Sequence, residues 1–460
     1  MQQILDLHIH SKYSRACSPQ LTLENIAVAC RSKGVDVVAT GDFTYPAWFS
    51  EIKNKLAEIP LSPFIKGGKN SGLYKLKTDQ GEGVKFILST ELALIYKKGD
   101  RVRRIHLVVH APSIKAVEEL NKFLGVKYNI SSDGRPILGM SATELVKLCL
   151  AIDPNFLIYP AHIWTPWFSV FGSKSGFDKL EECFDQYTEN IYAIETGLSS
   201  DPAMNWQLSA LDKLTILSNS DAHSLPNIGR EANVLEMRSI SYGEIYEIIK
   251  NKKVYYNGKE MDSPRTLRGG NDNIGIKYTI EFYPEEGMYH LDGHRLCCVS
   301  FTPAETRKHQ GICPVCKKPL VIGVMNRVAE LADRPAFVPL GGTSAGKPVG
   351  LNPPVGQAKF VKLVELDKII AEALAIKSRS STKVQLEYNN LIKQGGNELN
   401  ILLNIDLVEL QKMTLPEIVE GIKRVRQGEL IIEPGFDGQY GVIKIFNDKE
   451  KVSNKQTSLF

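Results

Sequence analysis

No stretch of this 460-residue sequence approaches the roughly 18 consecutive apolar residues that would span a bilayer. The N-terminus, MQQILDLHIHS, lacks a basic segment followed by an apolar run, the mark of a secretory leader. The expectation is a cytoplasmic protein with no membrane partner. Neither sign of charge is in excess: 56 basic residues meet 52 acidic ones, a net charge of +4. That excludes attraction to nucleic acid by bulk charge alone. It is compatible with a basic face whose charge is offset elsewhere by acidic metal ligands. Cysteine is sparse in the first half, where Cys17, Cys30, Cys149 and Cys183 are scattered and read as reduced thiols. Cys297, Cys298, Cys313 and Cys316 crowd one short segment, which in a cytosolic chain points to a metal rather than to disulfides.

The chain is long for one core and implies two or three domains. Over the first 225 residues, short apolar runs alternate with helical patterns. The runs are ILDLHIH, VDVVATGDF, VKFILSTELAL, RRIHLVVHA, FLIYPAHI, YAIETG and LTILSNSDAH. Most are rich in Val, Ile and Leu, as strands buried on both faces should be. Between the first two lies TLENIAVACRSKG, a helix with Thr22 as N-cap, Glu24 in its first turn and Gly34 past its end. This alternation predicts parallel β/α units. Nearly every strand carries His, Asp or Glu at or near its C-terminal end, and in a β/α barrel those ends converge on one face. Seven strands predict an α/β fold, a distorted (β/α) barrel one strand short of the usual eight.

Residues two apart on a strand share a face, so His8 and His10 reach one metal. Glu91 ends the third strand, His110 the fourth and His162 the fifth; Asp221 and His223 end the seventh. Asp42 ends the second strand as a further candidate ligand, and Glu195 is a residue that would orient a ligand. Imidazole with carboxylate suits zinc, manganese or iron. Two or more such ions can hold a phosphate, generate hydroxide and stabilise a leaving oxygen.

The motifs HIH, GDF, STE, VVH, PAH and SDAH, in that order, resemble the signature of the PHP (polymerase and histidinol phosphatase) family of metal phosphoesterases over about residues 1–260. The resemblance implies two or three divalent ions. By position, His8, His10, Glu91 and Asp221 would bind the first, Glu91, His110 and His162 the second, and His223 a third. The sequence departs from the pattern at Asp42-Phe43, where many members have Asp-His, and at Arg15, Ala16 and Cys17, where a further His is missing. The third ion is left with His223 and Asp42.

Further along, His294-x-x-Cys297 and Cys313-x-x-Cys316 have the spacing of a zinc ribbon with one Cys replaced by His. Such a closed site would hold one structural zinc and staple a module with little core of its own. His290, Cys298 and His309 stand close enough in sequence to compete as ligands. Gly341–Lys347 reads GGTSAGK, but Pro348 follows where a P-loop needs Ser or Thr, so the stretch reads as a linker. The domains expected are 1–265 for the metal phosphoesterase, 276–335 for the zinc-binding module and 336–448 for a smaller mixed helical and β domain. Within the last, 359–376 reads as an amphipathic helix and 429–446 as a hairpin. Residues 449–460 read as a flexible tail.

Lys97, Lys98, Arg101, Arg103 and Arg104 form a basic turn between Glu91 and His110, able to hold a phosphate backbone. Trp164 and Trp167 follow His162 and could stack on a base, wedge a duplex or simply pack. The C-terminal Gln456, Leu459 and Phe460 resemble the peptide that docks on bacterial sliding clamps. The whole arrangement, with YHLDGH, CPVC and EPGFDGQYGVIKIF, resembles the endonuclease Q branch of the family. That resemblance implies a DNA repair endonuclease whose partner is damaged DNA, cutting 5′ to deaminated bases (uracil, hypoxanthine) and abasic sites. The rival functions are a small-molecule phosphatase of the histidinol phosphatase kind and a catalytically degenerate, clamp-associated DNA-binding protein.

Overall fold

The computed structural model describes residues 1–61, 70–81, 83–255, 274–336, 353–354 and 356–447. Most of the expected linker at 265–275, most of the Gly/Pro-rich stretch 341–356 and the tail with Gln456, Leu459 and Phe460 lie outside the described residues. The fold is mixed α/β, and all seven apolar runs carry strands. The first helix, Leu23–Lys33, begins and ends as its sequence dictates. Thr22 accepts from the Asn25 N–H at 3.3 Å, and Gly34 closes the helix in the left-handed region at φ 93°.

An eight-stranded sheet runs in the order Lys359–Lys362, Gly275–Glu281, Ala232–Glu236, Gln2–Asp6, Val37–Ala39, Lys85–Ile87, Asn70–Leu76 and Leu56–Pro60. A four-stranded sheet runs Ile137–Leu138, Ser89–Lys98, Arg101–His110 and Leu157–Pro160. Ala193–Glu195 and Thr215–Leu217 pair in parallel. A parallel bridge between Ile9 and Ala222 joins the ends of the first and seventh runs.

Antiparallel pairing interrupts the expected parallel units, and Asn70–Leu76 runs antiparallel to Leu56–Pro60 and to Lys85–Ile87. Arg101–His110 runs antiparallel both to Ser89–Lys98 and to Leu157–Pro160. The cause is local: Gly99-Asp100 is a two-residue connection, which can join only antiparallel neighbours.

The expected module at 276–335 is also narrower in space than in sequence. Gly275–Glu281 adds to the large sheet between Ala232–Glu236 and Lys359–Lys362, and Val324 and Val328 of the helix Val324–Leu331 sink into the first core. The segment between keeps only Val299, Cys313 and Leu320 as buried apolar side chains of its own cluster. Lys359–Lys362 is a strand rather than the start of a helix, because Phe360 pairs along Thr279; helix begins at Leu366. The hairpin forms as expected, with strands Ile431–Glu433 and Val442–Lys444.

Five helices between Leu366 and Gln427 pack a second core against the outer face of the sheet, through Ala232, Val234 and Ile280. Lys33 and Glu398 form a buried ion pair at 2.8 Å that ties the first helix to this core. Gly34 has a second role there, since a Cβ would fall 2.3 Å from Asn397 Oδ1. Among the described residues no helix is long and apolar enough to cross a membrane.

Glu281 ends its strand fully buried, accepting from the hydroxyls of Ser218 and Thr279 and, at 3.4 Å, from Thr196. Burial outweighs those hydroxyls and pushes its carboxyl from 4.5 up to about 7. A folded carboxyl raised in this way costs nothing below pH 4.5 and its full amount above pH 7. The full cost is about 3 kcal/mol at 1.36 kcal/mol per pH unit. Glu281→Gln is therefore expected to leave stability unchanged below about pH 4.5, to raise it progressively up to about pH 7, and to hold a constant gain above that. Urea midpoints of the two chains across that range test this; a difference that stays constant from about pH 4.5 to about pH 7 would refute it.

Candidate metal centre

Glu91 lies between two groups of ligand atoms, near the start of the strand Ser89–Lys98. Its Oε2 faces His10 Nε2 at 3.3 Å and His8 Nε2 at 3.8 Å, and Asp221 Oδ1 closes the group at 3.1 Å from His10 and 3.8 Å from His8. Its Oε1 faces His106 Nδ1 at 2.7 Å and His162 Nε2 at 3.1 Å, with those two nitrogens 3.3 Å apart. Four donors on a small cation at metal–ligand bonds of about 2.1 Å would stand roughly 3.4 Å apart. Both groups match that spacing. In the first, the buried His8 Nε2, His10 Nε2 and Asp221 Oδ1 have no hydrogen-bond partner. Buried polar atoms are otherwise satisfied almost without exception, so the donor set fits divalent metal binding.

Electrostatics agree. Burial disfavours charge at every one of these groups. Nevertheless, Glu91 is held well below the usual carboxylate range by His106 and Arg135, and Asp221 by His10 and His8. His8 and His10 are held well above the usual histidine range, because Glu195 and Asp42 respectively outweigh burial. The pocket thus sets its imidazoles close against buried carboxylates. His106 differs: burial outweighs Glu91 and lowers it to about 4, so its ring is neutral and free to ligate at neutral pH.

The ligands are held by a surrounding layer of polar contacts. Glu195 accepts from His8 Nδ1 at 3.0 Å, from the His162 N–H at 3.0 Å and from Asn219 at 2.9 Å. It orients ligands, as its sequence position suggests. Asp42 is not aimed at either group. Its oxygens take His10 Nδ1 at 3.1 Å, the Ser11 N–H at 2.7 Å, and the hydroxyls of Ser11 and Ser14 at 2.6 and 2.9 Å. Expected as a ligand, it instead fixes the tautomer and tilt of His10. Asp42, His162 and Asp221 all sit at positive φ (48°, 29° and 46°), a conformation that side-chain-bearing residues hold only when their surroundings impose it. Gly197 is required beside one of them, since a Cβ there would lie 2.4 Å from His162 Cβ.

His110 is the second correction. It is absent from both ligand groups, and its Nε2 lies 3.0 Å from the Tyr159 hydroxyl. In the antiparallel register Glu91 faces Val108, with His106 opposite Ala93 and His110 opposite Ser89 on either side of it; His106 turns to Glu91 Oε1, whereas His110 turns away to Tyr159. Four residues along a strand separate the two by about 13 Å. Sequence reading took the last residue of the run as the functional one and passed over His106, which shares its face of the strand. His223 also stays outside the groups, with Nδ1 2.8 Å from the Asp221 carbonyl and its ring 4.6 Å from that of His10. Arg135, unremarked in the sequence, donates to Glu91 Oε2 at 2.8 Å.

His294, Cys297, Cys313 and Cys316 converge as expected, with His294 Nδ1 and Cys316 Sγ 3.7 Å apart. The competitors stand aside: Cys298 is exposed, His309 stacks on Phe301, and His290 lies buried outside the group. Of the basic turn, Lys98 is engaged by Asp185 at 2.8 Å and Arg103 by Gly176 and the Phe177 ring, leaving Lys97, Arg101 and Arg104 exposed. Lys97 is six residues beyond Glu91 on one strand, about 20 Å away, so the turn does not reach the ligand groups. Trp164 is buried, donating to Asn205 at 2.8 Å; Trp167 is exposed beside Tyr289.

The family of MJ0043 C-terminal domains matches residues 365–429. The uncharacterized protein MJ0043 of Methanocaldococcus jannaschii is 29% identical over 303 residues, 64% of this chain, which spans 33% of that protein's length. The crystal structure of the lesion-specific endonuclease PfuEndoQ of Pyrococcus furiosus superposes with a TM-score of 0.76 at 28% identity, covering 98% of this chain and 99% of that one. The chain has the endonuclease Q fold. An endonuclease Q complex with a 27-mer duplex carrying an abasic lesion at the active site matches with a TM-score of 0.75 at 28% identity, over 97% of this chain and 98% of that one. The match to endonuclease Q takes in all three parts of the chain.

Removal of His106 and of His110 should separate in a metal titration. Even a residue that only orients a metal ligand is worth about 10–100-fold in affinity, so His106→Gln is expected to weaken one class of Mn2+ site by at least that much, and His110→Gln by less than about threefold. Calorimetry on the full chain reads both; the reverse order would remove His106 from the ligand set.

Proposed function

We propose that this chain is a DNA repair endonuclease that hydrolyses the phosphodiester 5′ to deaminated bases, uracil and hypoxanthine, and to abasic sites. The observation that carries this reading is the near full-length match to endonuclease Q, joined to a ligand geometry suited to phosphoester hydrolysis. In this reading the seven strands make a distorted barrel. One ion is held by His8, His10, Glu91 and Asp221, and a second by Glu91, His106 and His162. A zinc on His294, Cys297, Cys313 and Cys316 holds its segment together. The identity of the catalytic ions, zinc, manganese or iron, is set by supply as much as by these ligands.

Ions held by these residues would supply Lewis acidity for activating a water and for offsetting charge on the leaving 3′ oxygen. The chain's own groups make that possible. Glu91 spaces the two positions by sharing its carboxylate. Glu195 and Asp42 fix the rings of His8 and His10 so that Nε2 faces inward. The second group has three donors to the first group's four, which leaves room on that side for the phosphate. No side chain is required as a nucleophile. Extrusion of the lesion costs least where base pairing is already lost, which favours deaminated and abasic positions. Exposed Lys97, Arg101 and Arg104 supply contacts to the phosphate backbone away from the cut, and Trp167 offers a ring to an unstacked base. Gln456, Leu459 and Phe460 would dock on a sliding clamp.

The test is strand nicking of a duplex with one uracil or one abasic site, with Mn2+ added. The full chain is expected to cut the lesion strand on the 5′ side and leave undamaged duplex intact. Asp221→Asn should lower cutting by about 100-fold or more while lesion-duplex binding stays within a few fold. Hydrolysis of small phosphate esters with no nicking would instead make the chain a phosphatase.

A further inference from the structure

Arg135 is a guanidinium fixed inside the acidic pocket, and nothing in the ligand sets accounts for it. It lies in the segment Asp133-Gly134-Arg135-Pro136, which is bound on every side. The Gly134 N–H donates to the Tyr13 carbonyl at 3.0 Å, Asp133 accepts from the N–H groups of Arg15 and Arg135, and the Pro136 carbonyl accepts from the Ala93 N–H at 3.2 Å. Gly134 presses so close to the site that a Cβ would fall 2.5 Å from Asp42 Oδ2. The segment is therefore built to bring a cation to this place.

The guanidinium donates through one nitrogen to Glu91 Oε2, the oxygen that also faces His8 and His10. Asp221 and Asp42 are the next carboxylates whose charge acts on it, and its own charge acts in turn on His223. Gly134, its chain neighbour, lies against Ser14 and Asp42, so the segment enters the centre beside Asp42. On that side no third ligand group forms among the described residues, and the oxygens of Asp42 already take four donors. A guanidinium presents five N–H donors in a rigid fork that matches phosphate geometry. The bond to Glu91 engages one of them.

We propose that Arg135 is the resident cation on the third side of this centre: two divalent ions bind, and the Arg135 guanidinium donates to a non-bridging oxygen of the phosphate held between them. The proposal rests on the phosphoesterase reading above, in which a phosphate enters this pocket. Arg135 would then be a catalytic residue in the strict sense, touching the substrate. Held by Glu91, it is oriented before the phosphate arrives and needs little rearrangement to bind it.

The experiment uses the full chain, zinc-replete, loaded with Mn2+, and inorganic phosphate as the probe. Calorimetry is expected to count two Mn2+ per chain, and inorganic phosphate is expected to bind the loaded protein. Arg135→Gln should retain both Mn2+ sites and weaken phosphate binding by about tenfold or more, the loss expected of a charge-assisted pair. Arg135→Lys, which keeps the charge but not the fork, should fall between. A third strong Mn2+ in the unaltered chain would overturn the proposal. So would an Arg135→Gln chain, folded by its urea midpoint, that loses Mn2+ affinity but binds phosphate normally once loaded, since that outcome makes Arg135 a support for Glu91 only. Failure of the unaltered chain to nick lesion DNA, with phosphate binding behaving as stated, would instead sink the repair reading and leave Arg135 as a phosphate ligand.

Discussion

The carboxylate of Glu91 is the constraint on which the rest of the site depends. It is buried, charged and shared: one oxygen faces His8 and His10, the other His106 and His162, and Arg135 closes on it from the side. An ionised carboxylate in the interior is tolerated only when cations and donors surround it. Strand, loop and imidazole positions in the first half of the chain follow from meeting that requirement. The Ser89–Lys98 strand brings Glu91 to the pocket, the reversed neighbour brings His106, and the ends of Gln2–Asp6, Leu157–Pro160 and Thr215–Leu217 lead into His8 and His10, His162, and Asp221.

Much of this was legible before any coordinates. The HxH pair, the carboxylate in STE, the His of PAH and the Asp of SDAH each follow an apolar run, and a β/α pattern brings such positions together whatever the details of twist. The convergence of His294, Cys297, Cys313 and Cys316 was legible for a different reason: a knuckle spacing of two fixes local geometry almost independently of the surrounding fold. What failed were inferences that needed a direction or a partner. His106 and His110 share one face of their strand, and only their partners, Glu91 for the first and Tyr159 for the second, tell them apart. Asp42 and Glu195 are both acids at strand ends. Only the positions of Ser11 and Ser14, remote from Asp42 in sequence but adjacent in space, show that Asp42 is engaged by His10 and these serines rather than aimed at a ligand group. Arg135 carried no signal at all, since its role comes from a loop whose path is set by Tyr13, Arg15 and Ala93.

The segment around His294 and the helical C-terminal part illustrate two ways of stabilising an appendage. The helices bring their own core, with Ile369, Ile422 and Leu402 buried against the sheet, and a buried Lys33–Glu398 pair anchors them. The segment around His294 has three buried apolar side chains and four metal-type donors within 4.8 Å of one another. Its shape rests on those donors and on its flanking strand and helix, both of which belong to the main body.

The hairpin formed by Ser89–Lys98 and Arg101–His110 has one more consequence. Glu91 and His106 face the same pocket from opposite arms, and between them lie the outer pairs from Leu94–Ile105 to Lys98–Arg101. Because the chain turns back beyond both residues, matched lengthening or shortening of the two arms at the tip leaves their spacing intact. A single-residue change within one arm would turn Glu91 or His106 to the opposite face. Evolution can therefore remodel the outer end of this arm, its reach and its charge, in steps of whole pairs without touching the chemistry at its base.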